Sequence, residues 1–185
     1  VIPKGIWITG PIRLQSNVCL YLERGAVVKF SKNIEEYPLI LTNYEGQECI
    51  RTVSPVTADH AENIAICGDG VIDGSGDLWR PVKQFKMTGR QWAELMKKNS
   101  NVLDTKEGGI WFPTESAFLG NEKNIQKDEK DALKKAEQHY DFYRPVMVSL
   151  EYCDRVLLEG VTFMNSPAWN IHPFFCTNLT VKDAV

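Results

Sequence analysis

Long apolar runs are missing from this chain: no stretch approaches the ~18 apolar residues that a membrane-spanning helix needs. A basic excess is missing too. Lys and Arg total 21 against 24 Asp and Glu, a net charge of −3. That excludes broad nucleic-acid binding, which needs cations to replace phosphate counterions. No Cys-x-x-Cys pair occurs, and the five cysteines are an odd number, widely spread. With three scattered histidines besides, no zinc knuckle, dithiol site or other metal constellation is expected. Cys19, Cys67 and Cys153 lie in apolar strand patterns and read as small buried side chains rather than disulfides. The opening Val1-Ile2-Pro3 has no initiator Met and no basic-then-apolar leader, so the chain reads as a piece of a longer protein. What is present is ordinary: 185 residues, 43% apolar and 24% charged, the size and composition of one globular domain. A disordered tail, a collagen-like fibre and a coiled coil are thereby excluded.

The informative feature is a weak repeat. Four segments share the pattern polar, apolar, x, apolar, then a turn and a second short apolar stretch. They begin at Asn17, Asn63, Arg155 and Asn178. Period-two alternation makes them strands with one face inward. Strands recurring every twenty-odd residues predict a parallel β-solenoid, in which each coil buries its inner face on the next. The last two copies are ~23 residues apart and the first two ~46, which reads as two turns of that period. An Asn at each turn is expected to hydrogen-bond the equivalent residue of the neighbouring coil. Arg155 breaks that ladder, and Asp154 before it can cap the turn.

Residues 77–143 depart from the pattern. Thr88 and Gln91 have capping-box spacing ahead of a helical run over 91–98. Residues 121–141 carry eleven charges, and Leu133, Ala136 and Tyr140 fall on one helical face. Asp131 and Lys135 are spaced for an i,i+4 ion pair. The segment reads as a partly helical, solvated insertion on an otherwise all-β solenoid.

Several motifs follow one another in order along the chain. Pro3-Lys4-Gly5-Ile6-Trp7-Ile8-Thr9-Gly10-Pro11 and Leu22-Glu23-Arg24-Gly25-Ala26 come first. Asn63-Ile64-Ala65-Ile66 with Gly68-Asp69-Gly70-Val71-Ile72-Asp73-Gly74 comes next. Arg144-Pro145, Gly160-Val161-Thr162, Asn165-Ser166-Pro167, Trp169 and His172-Pro173 come last. Together they resemble glycoside hydrolase family 28, the polygalacturonase family: the first set its opening coils, the second a further coil, and the third a later coil of the bacterial branch. The similarity spans 1–76 and 144–185. It implies a right-handed parallel β-helix, incomplete here, of which 1–185 are the N-terminal coils with an insertion at about 77–143. It also implies inverting hydrolysis of galacturonan, with one carboxylic acid protonating the leaving oxygen while others activate water. No metal or organic cofactor is implied. The family's Asn-x-Asp, Asp-Asp, Gly-His-Gly and Arg-x-Lys motifs do not occur in this sequence. In the near match Asn121-Glu122-Lys123, Asn121 and Lys123 flank a Glu, not an Asp, and they sit in the charged insertion. No catalytic residue is therefore assigned. The catalytic coils are expected beyond residue 185, in missing C-terminal coils of the same protein, and this piece alone is expected to be inactive.

Four residues are candidate substrate contacts. His172 either hydrogen-bonds a uronate carboxylate or sugar hydroxyl, or is a turn histidine bound to backbone. Trp169 either stacks on a pyranose ring or fills a coil corner. Tyr44 and Glu45 either bind sugar hydroxyls or belong to a solvated loop. His60 and His139 read as ordinary surface or turn residues. Asp69 and Asp73, beside glycines, read as turn formers. The implied partner is a pectic polysaccharide or oligogalacturonide, with no nucleic acid and no membrane span, and the implied location is secreted or periplasmic. Two rivals share the stacking pattern. A non-catalytic β-helix, carbohydrate-binding or adhesin-like, needs no acids. A pectate-lyase type needs a calcium-binding Asp cluster, which the sequence lacks.

Overall fold

The alternating segments fold as strands whose partners are their own counterparts one coil away. The computed structural model describes residues 1–121 and 125–185 and the backbone of 122 and 123. Three parallel sheets of four strands each form the solenoid. One sheet stacks Ile12–Arg13, Val56–Asp59, Val148–Glu151 and Ile171–Phe174. A second stacks Cys19–Leu22, Glu62–Gly68, Asp154–Glu159 and Thr177–Lys182. The third stacks Gly5–Thr9, Ala26–Phe30, Val71–Asp73 and Thr162–Met164. The chain is a right-handed parallel β-helix.

Its core is built from columns of equivalent residues. Leu20, Ile66 and Leu158 stack in register, as do Val28, Ile72 and Phe163. Val56 and Val148, and Ala58 and Leu150, line the inside of the remaining face. These side chains belong to one continuous buried cluster, against which the half-buried Leu20 packs. Removing so much apolar area from water at about 25 cal/mol per Å² is what stabilises a solenoid coil on its neighbour.

The polar ladder forms as the repeat predicted. Asn63 Nδ2 donates to Asn17 Oδ1 at 2.9 Å. Arg155 continues the ladder rather than breaking it: its Nε donates to Asn63 Oδ1 at 2.5 Å. Asp154 then accepts from Thr177 at 2.6 Å and Asn178 at 2.8 Å. Those two bonds, with Arg155 beside it, hold its carboxyl below the ordinary value. Because Asn17 bonds Asn63 directly, the 46-residue interval between them is one coil plus an excursion, not two coils.

By its internal contacts the chain divides into a solenoid unit, Val1–Pro38, Val53–Gly76 and Pro145–Val185, and a second unit, Leu39–Thr52 with Asp77–Arg144. The second unit holds an antiparallel hairpin, Leu39–Tyr44 with Gln47–Thr52. It also holds a three-stranded antiparallel sheet with Gly108–Trp111 between Val82–Lys83 and Val102–Thr105. Among the described residues it also holds the α-helices Gly89–Met96, Glu115–Lys123 and Ala132–Ala136. The first has the predicted capping box at Thr88 and Gln91. No helix among the described residues is long and apolar enough to cross a membrane.

Several local readings change. In the last helix Ala132 and Ala136 make the buried face, packing with Ile50 and Tyr143, while Leu133 is exposed. Lys135 pairs with Glu129 at 2.8 Å and not with Asp131, which sits at a positive φ of 57° ahead of the helix. His139 is buried, not on the surface. Cys19 is exposed, with its sulfur 2.9 Å from that of Cys67. The side chains of Glu122 and Lys123, in the near match to Asn-x-Asp, lie outside the described residues.

Candidate functional site: an outward sheet face

Residues pointing out of a solenoid strand stack across coils as the inward ones do. His172 is in register with Ser149, Ser149 with Thr57, and Thr57 pairs in turn with Arg13. One row over, Phe174 is in register with Glu151, and Glu151 with Asp59. The result is a strip carrying an imidazole, hydroxyls, carboxylates and aromatic rings on neighbouring strands.

The strip brings together two of the four predicted contacts. Trp169 is 45% exposed, its ring centroid 5.9 Å from that of His172. His172 is only 6% exposed, flanked on its other side by Phe174, whose ring stacks nearly parallel at 6.3 Å. Thus His172 is neither an open surface residue nor a loose turn histidine: its ring is fixed between two aromatics on a strand.

Trp169 is positioned by the preceding corner. Ser166 Oγ donates to the Ala168 carbonyl at 2.9 Å and the Trp169 carbonyl at 2.7 Å. Asn165, at a φ of 53°, donates through Nδ2 to Asp73 Oδ1 at 3.1 Å. Gly76 comes so close that a Cβ there would lie 2.3 Å from the Ser166 carbonyl oxygen. The Gly74-Ser75-Gly76 segment and the Asn165-Ser166-Pro167 motif are therefore two sides of one coil corner. Asp73 serves that corner, also accepting from the Ser75 amide at 2.9 Å. Asp69 lies 3.4 Å from Arg24 in an exposed ion pair.

Tyr44 and Glu45 are elsewhere, at the tip of the hairpin in the second unit. Glu45 and Gly46 form its two-residue turn, with φ of 56° and 78°, the geometry that suits the twist of the flanking strands. The Glu45 side chain is exposed, and the Tyr44 ring receives the Arg51 guanidinium at 3.9 Å.

A third set of residues was not anticipated. His60, Tyr152 and Phe175 each follow a strand of this sheet and each has a positive φ, 50°, 53° and 50°. Their rings stack in order, His60 on Tyr152 at 4.9 Å and Tyr152 on Phe175 at 5.5 Å. Bulky residues seldom adopt that conformation. Each is followed by a small residue (Ala61, Cys153, Cys176) and stands three residues before a ladder residue (Asn63, Arg155, Asn178). That aromatic-small pair in a fixed place was the available signal. His60 Nδ1 also lies 2.6 Å from Asp59 Oδ1. Chemically, the face offers ring surfaces to apolar C–H groups and polar atoms to hydroxyls, the combination a sugar requires. Among the described residues no group of His, Cys, Asp and Glu is arranged to hold a metal ion.

Stacked parallel coils with a polar and aromatic outer face define the class: a parallel β-helix protein. No family model matches the chain. It is 26% identical, over 98% of its own length and 28% of the relative's, to a "Probable polygalacturonase" of Vitis vinifera. It superposes on the hyperthermoactive exopolygalacturonase of Thermotoga maritima with a TM-score of 0.63 and 30% identity, covering 99% of this chain and 37% of that one. A family 28 exopolygalacturonase of Yersinia enterocolitica, at 22% identity and a TM-score of 0.59 over 99% of this chain and 32% of that one, shares the fold. The chain is similar to polygalacturonases, among them exopolygalacturonases, and spans about a third of the length of the relatives it matches.

Proposed function

We propose that this chain is the N-terminal portion of a pectin-degrading glycoside hydrolase that cleaves galacturonan by an inverting mechanism. The observation that carries the reading is the likeness of 99% of this chain to 37% of an exopolygalacturonase at 30% identity. The outward strip supports it, because Trp169, at the corner before the strand, stands beside His172 on the sheet, a pairing of ring and polar group that suits a sugar polymer. In this reading Trp169 covers the C–H face of a sugar ring and His172 is a positioning residue held by its aromatic neighbours. The acid and the water-activating carboxylates belong to coils that this chain does not include. Secretion or export to the periplasm follows from the size of the polymer.

The test is to assay the complete protein on polygalacturonate for released reducing ends, with proton NMR following the anomer first formed. Hydrolysis with inversion supports the proposal. An unsaturated, ultraviolet-absorbing product indicates a lyase, and binding without cleavage indicates a carbohydrate-binding module. Either would overturn it.

A further inference from the structure

Two outward thiols of adjoining coils meet on the solenoid surface. Cys19 belongs to the strand Cys19–Leu22 and Cys67 to Glu62–Gly68, its parallel neighbour one coil on. In that register Cys19 faces Ala65 and Cys67 faces Tyr21, so the two cysteines are diagonal neighbours. Leu20 and Ile66, next to them in the chain, pack into the core, which puts both thiols on the outer face. Their sulfurs are 2.9 Å apart. Two carbon atoms in contact stand ~3.5–4.0 Å apart, and sulfur is the larger atom. A covalent S–S bond is about 2.05 Å long, so the gap left to close is under ~1 Å. Side-chain rotation with a small approach of the two strands closes it, without a change of register.

The other cysteines differ in access. Cys153 and Cys176 also stand on adjoining coils, but Cys153 is buried, and the two thiols donate to the Glu151 and Leu150 carbonyls at 3.3 Å. Cys19 is exposed and Cys67 half-buried, so an oxidant reaches this pair from solvent. We propose that Cys19 and Cys67 form a disulfide that clamps the first coil of the solenoid to the second, made by exchange with a small disulfide, RSSR. Burial, then the neighbouring Cys19, pushes the Cys67 thiol up to about 11, which leaves Cys19 as the attacking group. Cys19 releases its proton to solvent and its thiolate attacks one sulfur of RSSR; that S–S bond breaks and RS⁻ departs. Cys67 passes its proton to the departing thiolate and attacks the Cys19 sulfur, which expels the second RS⁻ to be protonated by solvent. Two cysteine thiols are oxidised to one cystine, and one RSSR is reduced to two RSH. The closed loop contains the whole excursion Leu39–Thr52, so the bond ties the coils together across the segment that separates them in sequence. Export, proposed above, places the pair in an oxidising compartment, where such bonds persist.

The test is oxidation of the full chain with glutathione disulfide in mildly alkaline buffer, followed by non-reducing peptide mapping, thiol titration in denaturant and thermal melting. A linked Cys19–Cys67 peptide pair, lighter by two hydrogens than the separate peptides, is expected, with two of the five free thiols lost. Closing so long a loop should raise the melting temperature by at least ~4 °C, and dithiothreitol should return it to the starting value. Amide exchange in the two linked strands should slow about tenfold. Cys19→Ser, which alters only an exposed side chain, and Cys67→Ser should each abolish the gain, while Cys49→Ser should keep it. A glutathione adduct that never resolves, a link between other cysteines or between two chains, or a linked chain that melts no higher than the reduced one would each overturn the clamp.

Discussion

At the scale of single residues, positive φ is the device on which the coils turn. Asn17, Asn63, Arg155 and Asn178 all adopt it, with φ between 51° and 65°. An L residue in that region costs roughly 1–2 kcal/mol, least for Asn, whose side chain hydrogen-bonds locally. Asn63 offsets the cost by donating to one coil and accepting from the next. Asn63→Ala is therefore expected to lose about 1–3 kcal/mol in urea unfolding, and Asn63→Gly to lose less because glycine keeps the backbone free. Cys67 makes a second prediction. Burial, then the neighbouring Cys19, pushes its thiol from 9.0 to about 11. A raised folded-state pKa means the native state holds its proton longer than the unfolded chain does. The associated stability is complete below pH 9.0 and disappears as pH rises to about 11. Thermal melts across that window should fall, and Cys67→Ala should flatten the fall. Asp154 behaves in the opposite sense. Its lowered pKa stabilises the native state above the unfolded carboxyl value, and that contribution is lost on acidification through the folded value. Asp154→Asn should remove this part of the acid dependence.

At the scale of elements, one strand end depends on a missing side chain. Gly68 has a φ of 109°, and a Cβ there would stand 2.1 Å from the Leu22 carbonyl oxygen of the adjoining coil. That atom belongs to backbone and has no freedom to move aside. Gly68→Ala is expected to cost more than about 4 kcal/mol, or to abolish folding, in denaturant titration. The helix Gly89–Met96 is a milder case. Its capping box satisfies two amide groups that otherwise lack partners. Thr88→Ala should cost about 1 kcal/mol. Hydrogen exchange should register it as faster exchange within that helix and unchanged exchange in the solenoid strands.

At the scale of the whole molecule, the solenoid is a set of columns, so each coil's stability is set mainly by its neighbours. Leu158 is fully buried between Ile66 and Val181. Leu158→Ala should lower the stability of the solenoid unit by about 2–5 kcal/mol, read by circular dichroism. The charge asymmetry is also a property of the whole chain. Acidic groups outnumber basic ones, yet a cavity in the second unit collects arginines and lysines from three separate stretches of the sequence, at 51, 80–86 and 144.

The solenoid could be read from the chain itself, because period-two alternation and an Asn at each turn are local properties that any parallel stack must reuse. The capping box was legible for the same reason, since both its partners lie within one helical turn. The corner motifs around Gly74 and Ser166 could be recognised as motifs, but not as partners, because they meet across 90 residues of intervening chain. Which coils are adjacent, which rings stack into the column from His60 to Phe175, and which cations share a cavity were all decided by the tertiary structure. In a solenoid the nearest neighbour in space is one coil away, and a chain that makes excursions between coils hides that distance from its own numbering.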